Sequence, residues 1–230
     1  MLHGMPGMPM GFTTHADIEV RLEQLIHAHL IRPMILVFPD GRIDGRVHSD
    51  SEWANTRAGS YESLVTDVVR NVDQRYATLP CRQERALAGL SAGAYGAANV
   101  GLHHVGLFGL IQVWSGYFTE TRTGVFAHAD PAVIAHNSPL DTVGTMRGAL
   151  RRDPLRVFIY AGRDDDVALQ VPAMAAALQA EGAHESWALY PGGHSWKTWA
   201  PHVDQMLIMA SHDFAHPLDG ASPSCPPPNQ

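Results

Sequence analysis

Apolar residues recur at helical spacing in ADIEVRLEQLIHAHLI, where Ile18, Leu22, Leu25, Ile26 and Leu30 share one face. The next stretch, RPMILVFPDG, is a short continuous apolar run closed by Pro-Asp-Gly, the pattern of a strand buried on both faces. A polar loop rich in Gly, Ser, Asp and Asn follows. SYESLVTDVVRNVDQRYA then reads as a helix, with Ser60 as its N-cap and Glu62, Asp67 and Asp73 on its outer side. ERALAGL is a second buried strand and AGAYGAANVGLHH the helix leaving it. FGLIQVWSGYF is a third strand. The stretch from Thr119 to Arg152, broken by Pro131 and Pro139, holds short helices at most. LRVFIYAGRDDD is a strand ending in acids, VPAMAAALQAEG a helix closed by Gly182, HESWALYPGG a last strand and WAPHVDQMLIMASHDFA a last helix. Buried strands alternating with helices predict an α/β fold, a mostly parallel sheet with helices on both faces.

Composition narrows the setting. The 230 residues suffice for one domain, expected over residues 1–216, with 45% hydrophobic and 17% charged residues. HPLDGASPSCPPPNQ is rich in Pro and Ser, so 217–230 is expected to be a disordered tail. A net charge of −7 without a long basic run argues against a nucleic-acid partner. No stretch approaches the roughly 20 apolar residues of a membrane-spanning helix, and MLHGMPGMPMGF lacks the basic start and apolar core of a signal peptide. The two cysteines, Cys81 and Cys225, are expected to be unrelated thiols, because Cys225 lies in the proline-rich tail.

The candidate chemistry centres on GLSAGAYGA, where Ser91 stands between Gly89 and Gly93 directly after an expected strand. G-x-S-x-G at a strand-to-helix turn is the pattern of a nucleophile elbow, although a glycine-rich turn into an alanine-rich helix matches it too. Two further strand ends agree with the elbow. The acids Asp164, Asp165 and Asp166 follow one strand, and His194 of PGGHSW follows another. Ligands gather at this end of a parallel sheet, and the order serine, acid, histidine is that of one class of hydrolytic triad. A serine hydroxyl needs a base to take its proton, and a carboxylate orients that base. Among the three acids the residues alone leave the choice open. The N–H of Ala92, after the serine, is one candidate oxyanion donor, and the N–H of Met5 in LHGMPG the second. Trp114, Tyr117, Trp196, Glu52 and Trp53 are candidates for lining the substrate pocket, with core packing or a solvated loop as the plain alternative. His212 and His216 stand i, i+4 but lack a third ligand, so no metal and no cofactor is expected.

LHGMPG, VFPDG, GLSAGAYGA, WSGYF, AGRDDD and YPGGHSWKTW together resemble the esterase D / feruloyl esterase-like α/β-hydrolases, relatives of the mycobacterial mycolyltransferases. The resemblance spans most of the chain. It implies an α/β-hydrolase fold and a serine carboxylesterase acting on small-molecule acyl or aryl esters without a metal. The acid of that group closes a G-x-x-D pattern, here Gly162 to Asp165, which singles out Asp165. Transfer of the acyl group to a sugar hydroxyl, or a binding domain without catalysis, are the alternatives. The group has strands ahead of the HG loop, whereas only Met1 and Leu2 precede it here. N-terminal strands are therefore expected to be missing, with an exposed sheet edge covered by an upstream extension or by a homo-oligomer. An export segment would belong to such an extension, which leaves cytoplasmic and extracytoplasmic placement both open.

Overall fold

In the computed structural model, residues 1–120, 122–218 and 225 are described. Helix α1 (Gly11–Ala16) is separated from α2 (Ile18–His27) by Asp17, whose left-handed φ of 47° turns the chain. A small hairpin, β1 (Asn55–Thr56) and β2 (Gly59–Ser60), leads into α3 (Tyr61–Arg75). Then β3 (Ala86–Leu90) feeds α4 (Ala92–His103), and β4 (Leu110–Trp114) is followed by α5 (Pro131–His136), α6 (Pro139–Val143) and α7 (Arg147–Arg152). The chain closes with β5 (Arg156–Gly162), α8 (Val171–Glu181), β6 (His184–Tyr190), α9 (Trp196–Trp199) and α10 (Val203–Ala215).

Strands β3, β4, β5 and β6 lie side by side in that order, all parallel, with Leu90 opposite Trp114 and Trp114 opposite Tyr160. Their side chains alternate between two cores, as the two-residue strand period requires. Leu87, Ile111, Val113, Val157 and Ile159 pack on one face, against α3, α4 and α8. Leu90, Trp114, Phe158 and Tyr160 face α1, α2 and α10 on the other. This is the α/β-hydrolase arrangement, and it brings the carboxyl ends of β3, β5 and β6 to one edge of the molecule. Among the described residues, no helix is long and apolar enough to cross a membrane.

Several sequence expectations are corrected. The run from Pro33 to Pro39 joins no ladder. Met34, Leu36 and Phe38 pack against the second core, and at the start of the chain Leu2 makes an isolated parallel bridge to Gly89 while the Met1 amine donates to the Val37 carbonyl. Ile35 is 50% exposed, and an apolar groove of about 360 Å³ runs between this segment and β3. Ser60 precedes α3, but its side chain makes no capping hydrogen bond. Glu62 is not on an outer face; it is buried against His103 and His104 at the end of α4. Cys81 and Cys225 are not separate thiols but a disulfide. Apart from Cys225, residues 219–230 of the expected disordered tail lie outside the described residues.

Candidate active site

Ser91 occupies the one residue between β3 and α4, with φ 56° and ψ −124°. So sharp a turn brings backbone against backbone. A Cβ at Gly89 would lie 2.0 Å from the Gly93 carbonyl oxygen, and one at Gly93 would lie 2.1 Å from that of Leu2. Only hydrogen fits at either position, which explains the glycine spacing around the serine. The turn is pinned where Ser91 N–H donates to the Trp114 carbonyl (2.9 Å). As the first residue of α4, Ala92 has an N–H that the helix itself cannot satisfy.

Ser91 Oγ lies 2.8 Å from His194 Nε2, and His194 Nδ1 lies 2.8 Å from Asp165 Oδ2. A carboxylate only accepts, so the Nδ1 proton donates to Asp165 and Nε2 is left to accept from the serine hydroxyl. The Asp165 side chain is 2% exposed and the His194 side chain 40% exposed. The other Asp165 oxygen accepts the Val167 N–H (3.1 Å), capping the short helical turn Asp166–Gln170. Asp164 and Asp166 point to solvent. His194 sits after Gly192, whose φ of 112° turns the chain behind β6. The Trp199 ring backs it edge-on at 5.0 Å, and the Trp199 indole N–H is tied to Ser115 Oγ (2.9 Å).

Residues 1–210 match the family model "Esterase", described as "Putative esterase". The chain belongs to this esterase family. Among solved structures, this esterase is similar to a ferulic acid esterase (24% identity, TM-score 0.79, covering 92% of this chain and 83% of that one). It is also similar to FphF, a fluorophosphonate-binding serine hydrolase of Staphylococcus aureus (17% identity, TM-score 0.75, 91% and 81%). A third is the S-formylglutathione hydrolase FrmB of the same organism (15% identity, TM-score 0.74, 91% and 82%).

The structure separates the candidate pocket residues of the esterase into two groups. Trp53 and Trp114, expected as pocket-lining candidates, are each 1% exposed and sealed from solvent. Trp114 packs against Phe12 and Tyr160 in the α10-side core. Tyr117, Glu52 and Trp196 are half-buried. Tyr117 stacks on Tyr95 at 4.9 Å and its hydroxyl donates to the Glu52 carboxylate. Burial, with the charges of Asp50 and Glu120 adding to it, pushes the Glu52 carboxyl up to about 8 against the pull of the Tyr117 hydrogen bond. Trp196 stacks on His15 and meets Phe12 edge-on. Met5, 43% exposed, follows Gly4, where a Cβ would lie 2.8 Å from Ser91 Cβ.

His3 organises the HG loop. Gly41 N–H donates to its Nε2 (3.0 Å), so the ring proton is on Nδ1 and donates to the Gly4 carbonyl (2.9 Å). Among 14 histidines, nothing but its place before Gly4 marks it in the sequence. His212 and His216 stack on each other, and no group of three metal-binding side chains occurs among the described residues.

Proposed function

We propose that the chain hydrolyses short acyl or aryl carboxylic esters through an acyl-enzyme on Ser91. The observation that carries this reading is the unbroken chain of 2.8 Å contacts from Ser91 Oγ through His194 to the buried Asp165. In the first step Ser91 Oγ attacks the ester carbonyl carbon while His194 Nε2 takes the hydroxyl proton. Asp165 holds the Nδ1 proton and stabilises the imidazolium that forms. The developing oxyanion is met by the N–H groups of Ala92 and Met5, fixed dipoles that need no reorganisation. His194 then protonates the leaving alkoxide, and a water deprotonated by the same nitrogen releases the acid. Half-buried Trp196 and Tyr117 supply flat apolar surface for an aryl group. The name of the similar ferulic acid esterase supports an aryl ester as substrate.

A fluorophosphonate probe and a p-nitrophenyl ester series from acetyl to palmitoyl test the reading. Ser91→Ala is expected to abolish labelling and lower kcat by about 10⁶-fold, as removal of a triad nucleophile does. Activity of the variant within about tenfold of the parent, far above a triad knockout, would place the nucleophile elsewhere.

A further inference from the structure

Trp53, which with Trp114 is the largest fully buried side chain among the described residues, belongs to a loop and has no place in the chemistry above. Its backbone and that of Glu52 both adopt left-handed φ values of 50°, unusual for two successive non-glycine residues. Local bonds hold this turn: Asp50 Oδ1 accepts the Glu52 N–H (2.8 Å) and Ser51 Oγ the Trp53 N–H (3.2 Å). Strain of this kind persists where the surroundings over-determine it. Here the surroundings are the two elements that carry the oxyanion donors. The indole N–H donates to the His3 carbonyl (3.1 Å), and the ring meets the His3 imidazole edge-on at 5.2 Å. Its opposite flank lies on Gly96 of α4, where a Cβ would come within 2.6 Å of Trp53 Cβ. Gly41, the donor to His3, is equally close to the ring.

One buried side chain thus ties the second turn of α4, the helix whose first residue presents the Ala92 N–H, to the His3–Gly4 loop, which presents the Met5 N–H. The direction of the second donor follows from peptide geometry. The Gly4 carbonyl is held by His3 Nδ1–H, and in a planar trans peptide the Met5 N–H points the opposite way. We propose that Trp53 is a positioning residue for the oxyanion donors: its indole sets the spacing and tilt of the Met5 N–H relative to the Ala92 N–H. The inference rests on the esterase mechanism proposed above. It gives Trp53 a role beyond burial, because the partner its indole N–H takes is the His3 carbonyl, in the loop that carries the Met5 N–H.

The test replaces the indole N–H without emptying the core. Trp53 is exchanged for 3-benzothienylalanine, which keeps the bicyclic shape and carries sulfur where the N–H was. Trp53→Phe is made beside it, and active sites are counted by fluorophosphonate titration. With p-nitrophenyl acetate, kcat per labelled site is expected to fall about tenfold, less than the loss of a whole oxyanion donor, while KM stays within about twofold. Affinity for a trifluoromethyl ketone, whose serine adduct carries the oxyanion, is expected to fall by the same factor as kcat. Unchanged kcat per active site and unchanged ketone affinity in the benzothienyl variant would overturn the proposal, whatever happens to the melting temperature. Should Trp53→Phe fail to fold, the isosteric variant still decides. Ser91→Ala is run in parallel: a parent that is inactive, or an active Ser91→Ala, breaks the mechanism and not the role of Trp53 within it.

Discussion

At Asp165 both carboxylate oxygens are occupied, one by His194 and one by the Val167 N–H, while Asp164 and Asp166 face water. Asp165→Asn is therefore expected to lower kcat by about 10⁴-fold, because an amide no longer enforces the Nδ1 tautomer. Asp164→Asn is expected to leave kcat within about twofold, as exposed substitutions do. Steady-state kinetics on active-site-titrated enzyme checks both. Glu52 makes a different prediction. Its carboxyl is raised from 4.5 to about 8, first by burial and then by Asp50 and Glu120. The folded state therefore keeps a proton that the unfolded chain has lost, so the contribution of Glu52 to stability is fully present below about pH 4.5 and is lost as pH rises toward 8. Glu52→Gln removes that decline while leaving an acceptor for Tyr117. The variant is expected to melt about 5 °C above the parent at pH 8, a shift of roughly 2 kcal/mol in a chain of this size, and no higher at pH 4. Equal melting curves at pH 8 would show that Glu52 is ionised in the fold.

Between elements, the buried Glu62 is the electrostatic link from α3 to α4. One of its oxygens accepts from His103 Nδ1 (3.0 Å) and His104 Nε2 (2.9 Å), and His103 Nε2 donates onward to the His136 carbonyl at the end of α5. Burial alone would raise the Glu62 carboxyl, but the two histidine hydrogen bonds and their charge hold it down at about 2. A depressed carboxylate contributes stability above its ordinary value near 4.5, and that contribution is lost as pH falls toward 2. Glu62→Gln is expected to cost about 2 kcal/mol at pH 7 and close to nothing at pH 2. Urea titrations at the two pH values measure this. A loss of the same size at both would make the glutamate a packing residue and not a charged tie.

For the molecule as a whole, the Cys81–Cys225 disulfide spans 144 residues and so joins the tail to the loop ahead of β3. Cross-links over long loops act chiefly by restricting the unfolded chain, typically by about 2–4 kcal/mol. Neither cysteine lies at the serine site. Reduction, or Cys81→Ser with Cys225→Ser, is expected to lower Tm by about 5–10 °C and to leave kcat and KM unchanged. Calorimetry with and without reductant, paired with p-nitrophenyl acetate kinetics, checks both parts. A fall in kcat without a fall in Tm would mean that the tail reaches the catalytic groups.

The sheet, its helices and the three strand ends that carry Ser91, Asp165 and His194 were legible in the linear pattern. The reason is that hydrophobic period, glycine spacing and chain order are properties of a segment and its immediate neighbours. Leu87 and Ile159 declare a buried strand by the residues beside them. Other features depend on what lies across space. Pro33 to Pro39 has the composition of a strand, but a ladder needs a partner strand in register, which composition does not reveal, and the segment joins no ladder. Glu62 looks like an outer helix position until α4 brings two histidines to it. Three adjacent aspartates are equivalent in composition and differ only in where the turn after Gly162 aims each side chain. Trp53, Trp114 and Trp196 are likewise one residue type with different fates, two sealed in the cores and one half-open, because packing between distant elements decides what water and substrate can reach. By itself the sequence determined which segments form the scaffold and where its reactive residues stand along the chain. Only the tertiary structure decided which side chains meet, since contacts between segments a hundred residues apart leave no local period to read.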